Sequence, residues 1–257
     1  MNAGPSAFRP CVVIPSYNNP VTIRRVVLAV RAYVPDVIVV DDGSSEEGRA
    51  AIAALGVEGI ATVHHRAANG GKGAAVKDAL RLARDAGFSH ALQVDADGQH
   101  TLEDIPRMLE AARDAPTALI LGQPVFDESA PKARLVGRRI TIFWTRLEVG
   151  GSAIADPMCG FRVYPLPVSA EVHVWGDRMD FDPEIAVRLV WEGVPTRNVE
   201  TRVRYVSADD GGVSHFHAFK DNVLISLMHS RLMTLKIMRF LFGWLWRGRS
   251  PRGRLPS

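Results

Sequence analysis

Short apolar runs and longer stretches of helical period alternate along the first half of the chain. Cys11 to Pro15 is a run of strand type, and Thr22 to Ala32 has the spacing of a helix. Val37 to Val40 is a buried strand that ends on Asp41-Asp42-Gly43. A helix over 46–55 then leads to a strand near 60–64. From Lys72 to Ala86 the apolar positions Ala75, Val76, Ala79, Leu80 and Ala83 recur at helical intervals and share one face. Ala91 to Val94 predicts a further strand, Thr101 the cap of a helix reaching about Arg113, and Ala118 to Leu121 another strand. Beyond this the pattern is less regular, with helices predicted over 133–147 and 183–191 and extended chain near 196–205.

Strands alternating with helices at short intervals predict an α/β fold, a Rossmann-like and mostly parallel sheet flanked by helices. Ligands of such sheets bind beyond the carboxyl ends of the strands. Those ends carry Pro15-Ser16-Tyr17-Asn18-Asn19, Asp41-Asp42-Gly43-Ser44-Ser45 and Asp95-Ala96-Asp97-Gly98-Gln99. Packing gives no reason for three polar clusters at corresponding points of three strands.

Each cluster suggests a chemistry. Asp95 and Asp97, one residue apart at a strand end, can turn toward one cation, and hard oxygen donors suit Mg²⁺ or Mn²⁺ bridging to substrate phosphates. The plainer alternative is a solvated turn in which Asp97-Gly98 ends the strand. Asp41 can accept hydrogen bonds from a nucleobase edge or a ribose hydroxyl while Asp42 shapes the turn. Asn69-Gly70-Gly71-Lys72-Gly73 opens a helix, where glycines allow close backbone approach and Lys72 beside a helix N-terminus favours phosphate. Its spacing is neither that of a Walker loop nor that of a GxGxxG fingerprint.

In this order the motifs resemble those of the family 2 glycosyltransferases, which have the GT-A fold. The family's opening strand and turn are similar to Val12-Val13-Ile14-Pro15-Ser16-Tyr17-Asn18, and its acidic nucleotide turn to Val39-Val40-Asp41-Asp42-Gly43-Ser44. Its Asn-x-Gly-Lys-Gly loop resembles the Asn69 to Gly73 segment, and its metal-binding motif the Asp95 to Gln99 segment. The resemblance covers about residues 9–206 and is closest to the branch of dolichyl- and polyprenyl-phosphate sugar synthases. That branch has segments similar to Asp156-Pro157-Met158-Cys159-Gly160-Phe161-Arg162 and to Phe181-Asp182-Pro183-Glu184-Ile185. Val213-Ser214-His215-Phe216, followed by a basic helix, resembles a subgroup found with bacterial aryl-polyene and acyltransferase genes. Two positions depart from the pattern: many members have Glu in place of Asn19, and the lipid-phosphate sugar synthases usually have Ser in place of Cys159.

The resemblance implies a metal-dependent, inverting transfer of a sugar from a UDP- or GDP-sugar to a lipid, lipid-phosphate or other membrane-associated acceptor. It implies a nucleotide site formed by Pro15, Tyr17, Asn19, Asp41, Asp42, Lys72, Gly73 and Asp95. The Mg²⁺ or Mn²⁺ ion would be held by Asp95, Asp97 and His215. Asp156 would be the catalytic carboxylate, a base toward a hydroxyl acceptor or an orienter of a phosphate anion. Arg162 would hold a phosphate or serve a structural ion pair. Asp182 and Glu184 would line the acceptor pocket or favour the N-terminus of their own helix. Two other readings compete. A sugar-1-phosphate nucleotidyltransferase calls for a Gly-rich basic loop after the first strand, and a non-catalytic nucleotide- or membrane-surface-binding module calls for a degenerate site.

Composition narrows the setting. At 257 residues, 47% hydrophobic and 23% charged, the chain has the profile of one globular unit. Eight of its 31 Lys and Arg but one of its 28 Asp and Glu lie from Phe219 onward, so the net +3 divides into +7 there and −4 in the body. A general nucleic-acid surface is therefore not expected. The apolar period of the tail, mixed with Arg231, Lys236, Arg239, Trp244 and Trp246, predicts an amphipathic helix facing an anionic membrane surface. The expected division is a flexible N-terminus over 1–8, a GT-A domain over 9–212, the His215 segment with its membrane-facing helix over 213–247, and a disordered basic end over 248–257. Two cysteines without metal-ligand spacing, no secretory signal and no run of ~20 apolar residues fit a cytoplasmic protein held peripherally on the inner face of the cytoplasmic membrane.

Overall fold

Seven strands make a single sheet in the computed structural model, which describes residues 7–125, 132–202 and 218–242. They are β1 (Pro10–Ser16), β2 (Val37–Asp41), β3 (Thr62–His65), β4 (His90–Gln93), β5 (Leu119–Val125), β6 (Arg162–Pro165) and β7 (Thr196–Arg202). Their spatial order is β3-β2-β1-β4-β6-β5-β7. β6 runs antiparallel to both β4 and β5, and the other neighbours pair in parallel. The helices are α1 (Ile23–Arg31), α2 (Glu46–Val57), α3 (Lys72–Asp85), α4 (Ile105–Asp114), α5 (Lys132–Val149), α6 (Val168–Glu171), α7 (Phe181–Trp191) and α8 (Ala218–Leu241).

Strand residues alternate between two hydrophobic layers because successive side chains leave a strand on opposite faces. Val12, Ile14, Val37, Val39, Leu92 and Val94 join the layer covered by α1 and α4. Cys11, Val13, Ile38, Val40, Ala91 and Leu121 join the layer covered by α3, α7 and α8. Burial on both faces explains why β1 and β2 read as unbroken apolar runs. The order of strand addition reverses at β1, with β2 and β3 on one side and β4 in parallel on the other, the switch point at which such sheets open a crevice.

Three features differ from the sequence pattern. β6 is a four-residue central strand that begins with Arg162, a residue type the pattern assigns to the surface. Thr101 makes no side-chain cap, and the chain enters α4 through a 3-10 turn at Leu102–Asp104. The first two thirds of α8 do not form a separate surface helix: Ile225, Met228 and Leu232 are buried in the second hydrophobic layer. At roughly 2 kcal/mol per buried side chain, that contact stabilises the domain by on the order of 6 kcal/mol. Removing α8 would strip the core as well as the surface.

Cys11 and Cys159 are both buried free thiols. Burial pushes the Cys11 thiol up to about 12 and the Cys159 thiol up to about 11. Thiolate is the reactive form. The native protein is therefore expected to take up no Ellman reagent at pH 8, and both thiols should titrate once it is denatured; rapid native labelling at either position would contradict this packing.

Candidate functional site

The register Ser16↔Asp41 between β1 and β2 sets the first two polar clusters side by side at the carboxyl edge of the sheet. Val13↔Gln93 brings the end of β4 to the same edge. Side chains then lock the loops to one another. Asn18, at φ 52°, donates its N–H to Ser44 Oγ at 2.9 Å, and its Oδ1 accepts from Ser45 N at 2.8 Å. Thr22 Oγ1 donates to Ala96 O at 2.7 Å, tying the start of α1 to the Asp95-Ala96-Asp97 turn. Pro15, at the end of β1, and Asn19, in the loop after it, are buried, with Asn19 Nδ2 donating to Tyr17 O at 2.9 Å; Tyr17 is half-buried.

The two acids at the end of β2 have separate tasks. Asp41 is buried, with Oδ1 accepting from Ser44 N at 2.9 Å and Oδ2 lying 2.8 Å from His65 Nδ1. Burial alone would raise its carboxyl, but the hydrogen bonds from Ser44 and His65 outweigh that and hold it below the usual carboxylate range. Asp42 accepts from Gly70 N at 2.9 Å and Gly71 N at 2.7 Å and pairs with Arg66. It therefore staples the loop that carries Lys72. Gly71 holds φ 104° there, and a Cβ on it would lie 2.4 Å from Asp177 O. Gly73 is buried under Phe181, so it serves the contact between the first turns of α3 and α7.

Lys72 is the hinge of the site's electrostatics. Its Nζ lies 2.8 Å from Asp95 Oδ1 and 3.1 Å from Asp182 Oδ2. Burial disfavours the ammonium, yet Asp182 and Asp95 together raise its pKa well above the ordinary value. The reciprocal effect appears at Asp95, where burial is outweighed by Lys72 and by His100, and the carboxyl is held far below its usual range. Gly160 makes room for this pair, since a Cβ there would meet Lys72 Nζ at 2.7 Å and Asp95 Oδ2 at 2.9 Å.

Asp97 has the opposite character. Burial and then the negative charge of Asp95 raise its pKa, and the Gln99 N–H at 3.0 Å offsets this only in part. A carboxylate that is penalised for its charge beside a second carboxylate already neutralised by lysine is a fitting seat for a divalent cation. Among the described residues no group of three or more His, Cys, Asp or Glu could hold a metal ion. Two carboxylates completed by substrate phosphates and water suffice for Mg²⁺, so the donor set fits. His215 lies outside the described residues.

Asp156 is buried, with Oδ1 accepting from Met158 N at 2.8 Å and Oδ2 paired with Arg138 of α5. Arg162 is buried among backbone carbonyls, donating to Cys159 O at 2.6 Å, Asp182 O at 2.6 Å and Pro157 O at 2.5 Å. It thus binds the loop that carries Asp156 to the start of α7, which carries Asp182. Glu184 is also buried, accepting from Gly176 N at 2.8 Å, Arg188 at 2.7 Å and Arg231 at 2.5 Å. It joins the 175–176 loop, α7 and α8. Three residues outside the sequence-derived set complete the arrangement. Arg66 braces the Lys72 loop, Arg138 pairs with Asp156, and His100 lies 3.3 Å from Asp95 while stacking on Phe161. The position of His100 just beyond the Asp95 to Gln99 cluster was a usable signal; Arg138 meets Asp156 only through the tertiary fold.

Comparison with known proteins is consistent with this geometry. The family model described as "Glycosyl transferase family 2" matches residues 11–164. The chain is 31% identical over 172 residues to a polyprenol monophosphomannose synthase of Mycolicibacterium smegmatis, covering 62% of this chain and 64% of that one. It is also 31% identical over 172 residues to an undecaprenyl-phosphate mannosyltransferase of Micrococcus luteus, covering 61% and 66%. The match thus spans just under two thirds of the length of either relative. Among solved structures, glucosyl-3-phosphoglycerate synthase from Mycobacterium tuberculosis, in complex with Mn²⁺, UDP-glucose and phosphoglyceric acid, superposes with a TM-score of 0.63 at 16% identity, covering 88% of this chain and 80% of that one. At that identity the likeness establishes the fold.

Proposed function

The chain belongs to glycosyl transferase family 2 and has the GT-A fold, and from that premise we propose that it moves a sugar from a UDP- or GDP-sugar to a polyprenyl-phosphate-like or hydroxylated lipid, with inversion at the anomeric carbon. The observation that carries the reading is the division of labour within Asp95-Ala96-Asp97. Lys72 neutralises Asp95, while Asp97 bears a charge that burial and Asp95 both penalise. Mg²⁺ or Mn²⁺ would be held by Asp97 with Asp95 alongside, and His215 would be a further ligand. When bound, the ion neutralises charge that develops on the leaving diphosphate. Asp41 and the Pro15 to Asn19 loop bind the nucleoside, and Asp42 keeps the Lys72 loop in place for the phosphates.

Both oxygens of Asp156 are engaged, by Arg138 and by the Met158 N–H. With both oxygens already committed to donors, the geometry supports a positioning role beside an acceptor phosphate that is already anionic. Arg162 ties the Asp156 loop to the Asp182 backbone, and Glu184 braces α7 against α8. Asp156→Asn is therefore expected to slow transfer to a phosphate acceptor by less than about tenfold, against the roughly 10²–10⁴-fold typical of losing a general base. A loss in the larger range with a polyprenyl phosphate would make Asp156 a base instead.

Among the described residues no helix is long and apolar enough to cross a membrane. The reading includes peripheral attachment at the inner face of the cytoplasmic membrane, supported by the basic residues of α8 beside exposed Phe240, Leu241 and Phe242. The nucleotide reading is tested by thermal shift. One of UDP and GDP should raise the melting temperature in the presence of Mn²⁺ and much less in EDTA, because a ligand stabilises only the state that binds it. No shift with either nucleotide would overturn the reading.

A further inference from the structure

α5 is amphipathic in the wrong sense for a helix that packs on a core. Its inner face carries Thr141, Thr145 and Glu148, all buried, together with Arg138. Its outer face carries Val136, Ile140, Phe143, Trp144 and Leu147, with Phe143 58% and Trp144 38% exposed. At 100° per residue these five positions fall within about a 100° arc, the width of an apolar stripe that normally faces a protein interior.

Two of the inward polar residues, Arg138 and Glu148, are paired across the fold. Glu148 Oε1 lies 2.7 Å from His229 Nδ1 of α8, Trp191 Nε1 donates to Glu148 O at 3.1 Å, and Arg138 pairs with Asp156. These contacts fix the rotation of α5, so the apolar stripe cannot turn inward without breaking buried polar pairs. Exposed Arg139 and Arg146 flank the stripe on one side. The only acid of the helix, Glu148, is on the inner face. Lys236 of α8 donates to Leu147 O, which sets the last turns of α8, with exposed Phe240, Leu241 and Phe242, beside the end of the stripe.

We propose that the outer face of α5 is a docking surface for an anionic lipid bilayer, with the Ile140, Phe143 and Trp144 side chains entering the headgroup region and Arg139 and Arg146 meeting lipid phosphates. The charge pattern selects this occupant. A second copy of the chain would set Arg139 and Arg146 against like charges with no acid on the helix to pair them. The segment after 242 carries Arg247, Arg249, Arg252 and Arg254 and meets the same repulsion. A bilayer supplies both the apolar depth and the negative charge. The inference rests on the lipid-acceptor reading and extends it, because Arg138 lies on the same helix. One helix then meets the bilayer with its outer face and holds Asp156 with its inner face, which sets a lipid headgroup close to the acceptor side of the site.

The test is co-sedimentation of the full-length protein with vesicles of phosphatidylglycerol and phosphatidylcholine, and with phosphatidylcholine alone, at low and high salt. Wild type should bind the anionic vesicles at low salt. Ile140→Ser with Phe143→Ser should weaken that binding at least about tenfold. Arg139→Glu with Arg146→Glu should weaken it about fivefold for each charge removed, with little loss left to measure at high salt. All four side chains are exposed, so melting temperatures should match wild type, and turnover of a water-soluble short-chain acceptor phosphate should be unchanged. Wild-type vesicle binding in both double variants overturns the proposal. So does a change in the monomer–dimer equilibrium of the serine variant, measured by light scattering, without a change in vesicle binding. If no acceptor phosphate is turned over by any form while vesicle binding follows α5, the docking surface stands and the catalytic reading fails.

Discussion

Asp97→Asn is expected to lower sugar transfer by about 10³-fold or more while leaving the fold intact. The substitution keeps volume and removes the charge that would hold the cation, and a metal that stabilises transition-state charge contributes several kcal/mol. Stability should move little or rise slightly. In the wild type, burial and the charge of Asp95 both raise the Asp97 pKa, so an amide relieves a penalty already present. Two measurements separate the effects: Mn²⁺ affinity by calorimetry in the presence of nucleoside diphosphate, and the melting temperature without metal. Full Mn²⁺ affinity in the variant would remove Asp97 from the metal site. A large drop in melting temperature would instead make it structural.

Lys72→Met should have the largest effect on stability. Its ammonium is the shared counter-charge of Asp95 and Asp182, at 2.8 and 3.1 Å. Removing one member of a buried ion pair typically costs 3–5 kcal/mol, because the remaining charge stays buried without compensation. For a chain of this size that corresponds to a fall in melting temperature on the order of 10 °C. Adding Asp182→Asn should restore part of the loss, since it removes one of the two orphaned charges, and the non-additivity of the double mutant measures their coupling. The divalent cation should stabilise Lys72→Met more than wild type, because Asp95 becomes free to accept it. A variant that melts within a degree or two of wild type would show that Asp95 and Asp182 do not depend on Lys72.

The sheet and the three loops at its edge were legible because parallel strands buried on both faces leave unbroken apolar runs, and each run here ended on a cluster too polar to be packed. The sequence also put Lys72, Asp95 and Asp97 at that edge, each next to a strand end or helix start, and the structure brings Lys72 against Asp95. What the sequence did not convey was long-range pairing. Arg162 looks like a phosphate ligand in isolation, but its donors are spent on the carbonyls of Pro157, Cys159 and Asp182, a use that appears only once β6 is inserted between β4 and β5. Glu184 looked like a pocket acid, and it is instead held by Arg188 and by Arg231, the latter 47 residues away on α8. α8 illustrates the same limit. Its mixed apolar and basic period is correct, but periodicity alone does not say which occupant an apolar face meets. Ile225, Met228 and Leu232 meet the domain. The inverted face of α5 was equally illegible, since an apolar stripe reads as core until the structure turns it outward.

The proposed activity joins binding of a nucleotide sugar and a divalent cation at the carboxyl edge of the sheet to delivery of the sugar to a lipid phosphate. It is tested most directly by incubating the full-length protein with radiolabelled UDP- and GDP-sugars, Mn²⁺ and a polyprenyl phosphate, then measuring label in the organic phase and nucleoside diphosphate in the aqueous phase. At least one donor is expected to yield both products in equal amounts, and EDTA or Asp97→Asn to abolish them. Lipid labelling that persists in EDTA and in the Asp97→Asn variant, or no labelling from any donor, would contradict it.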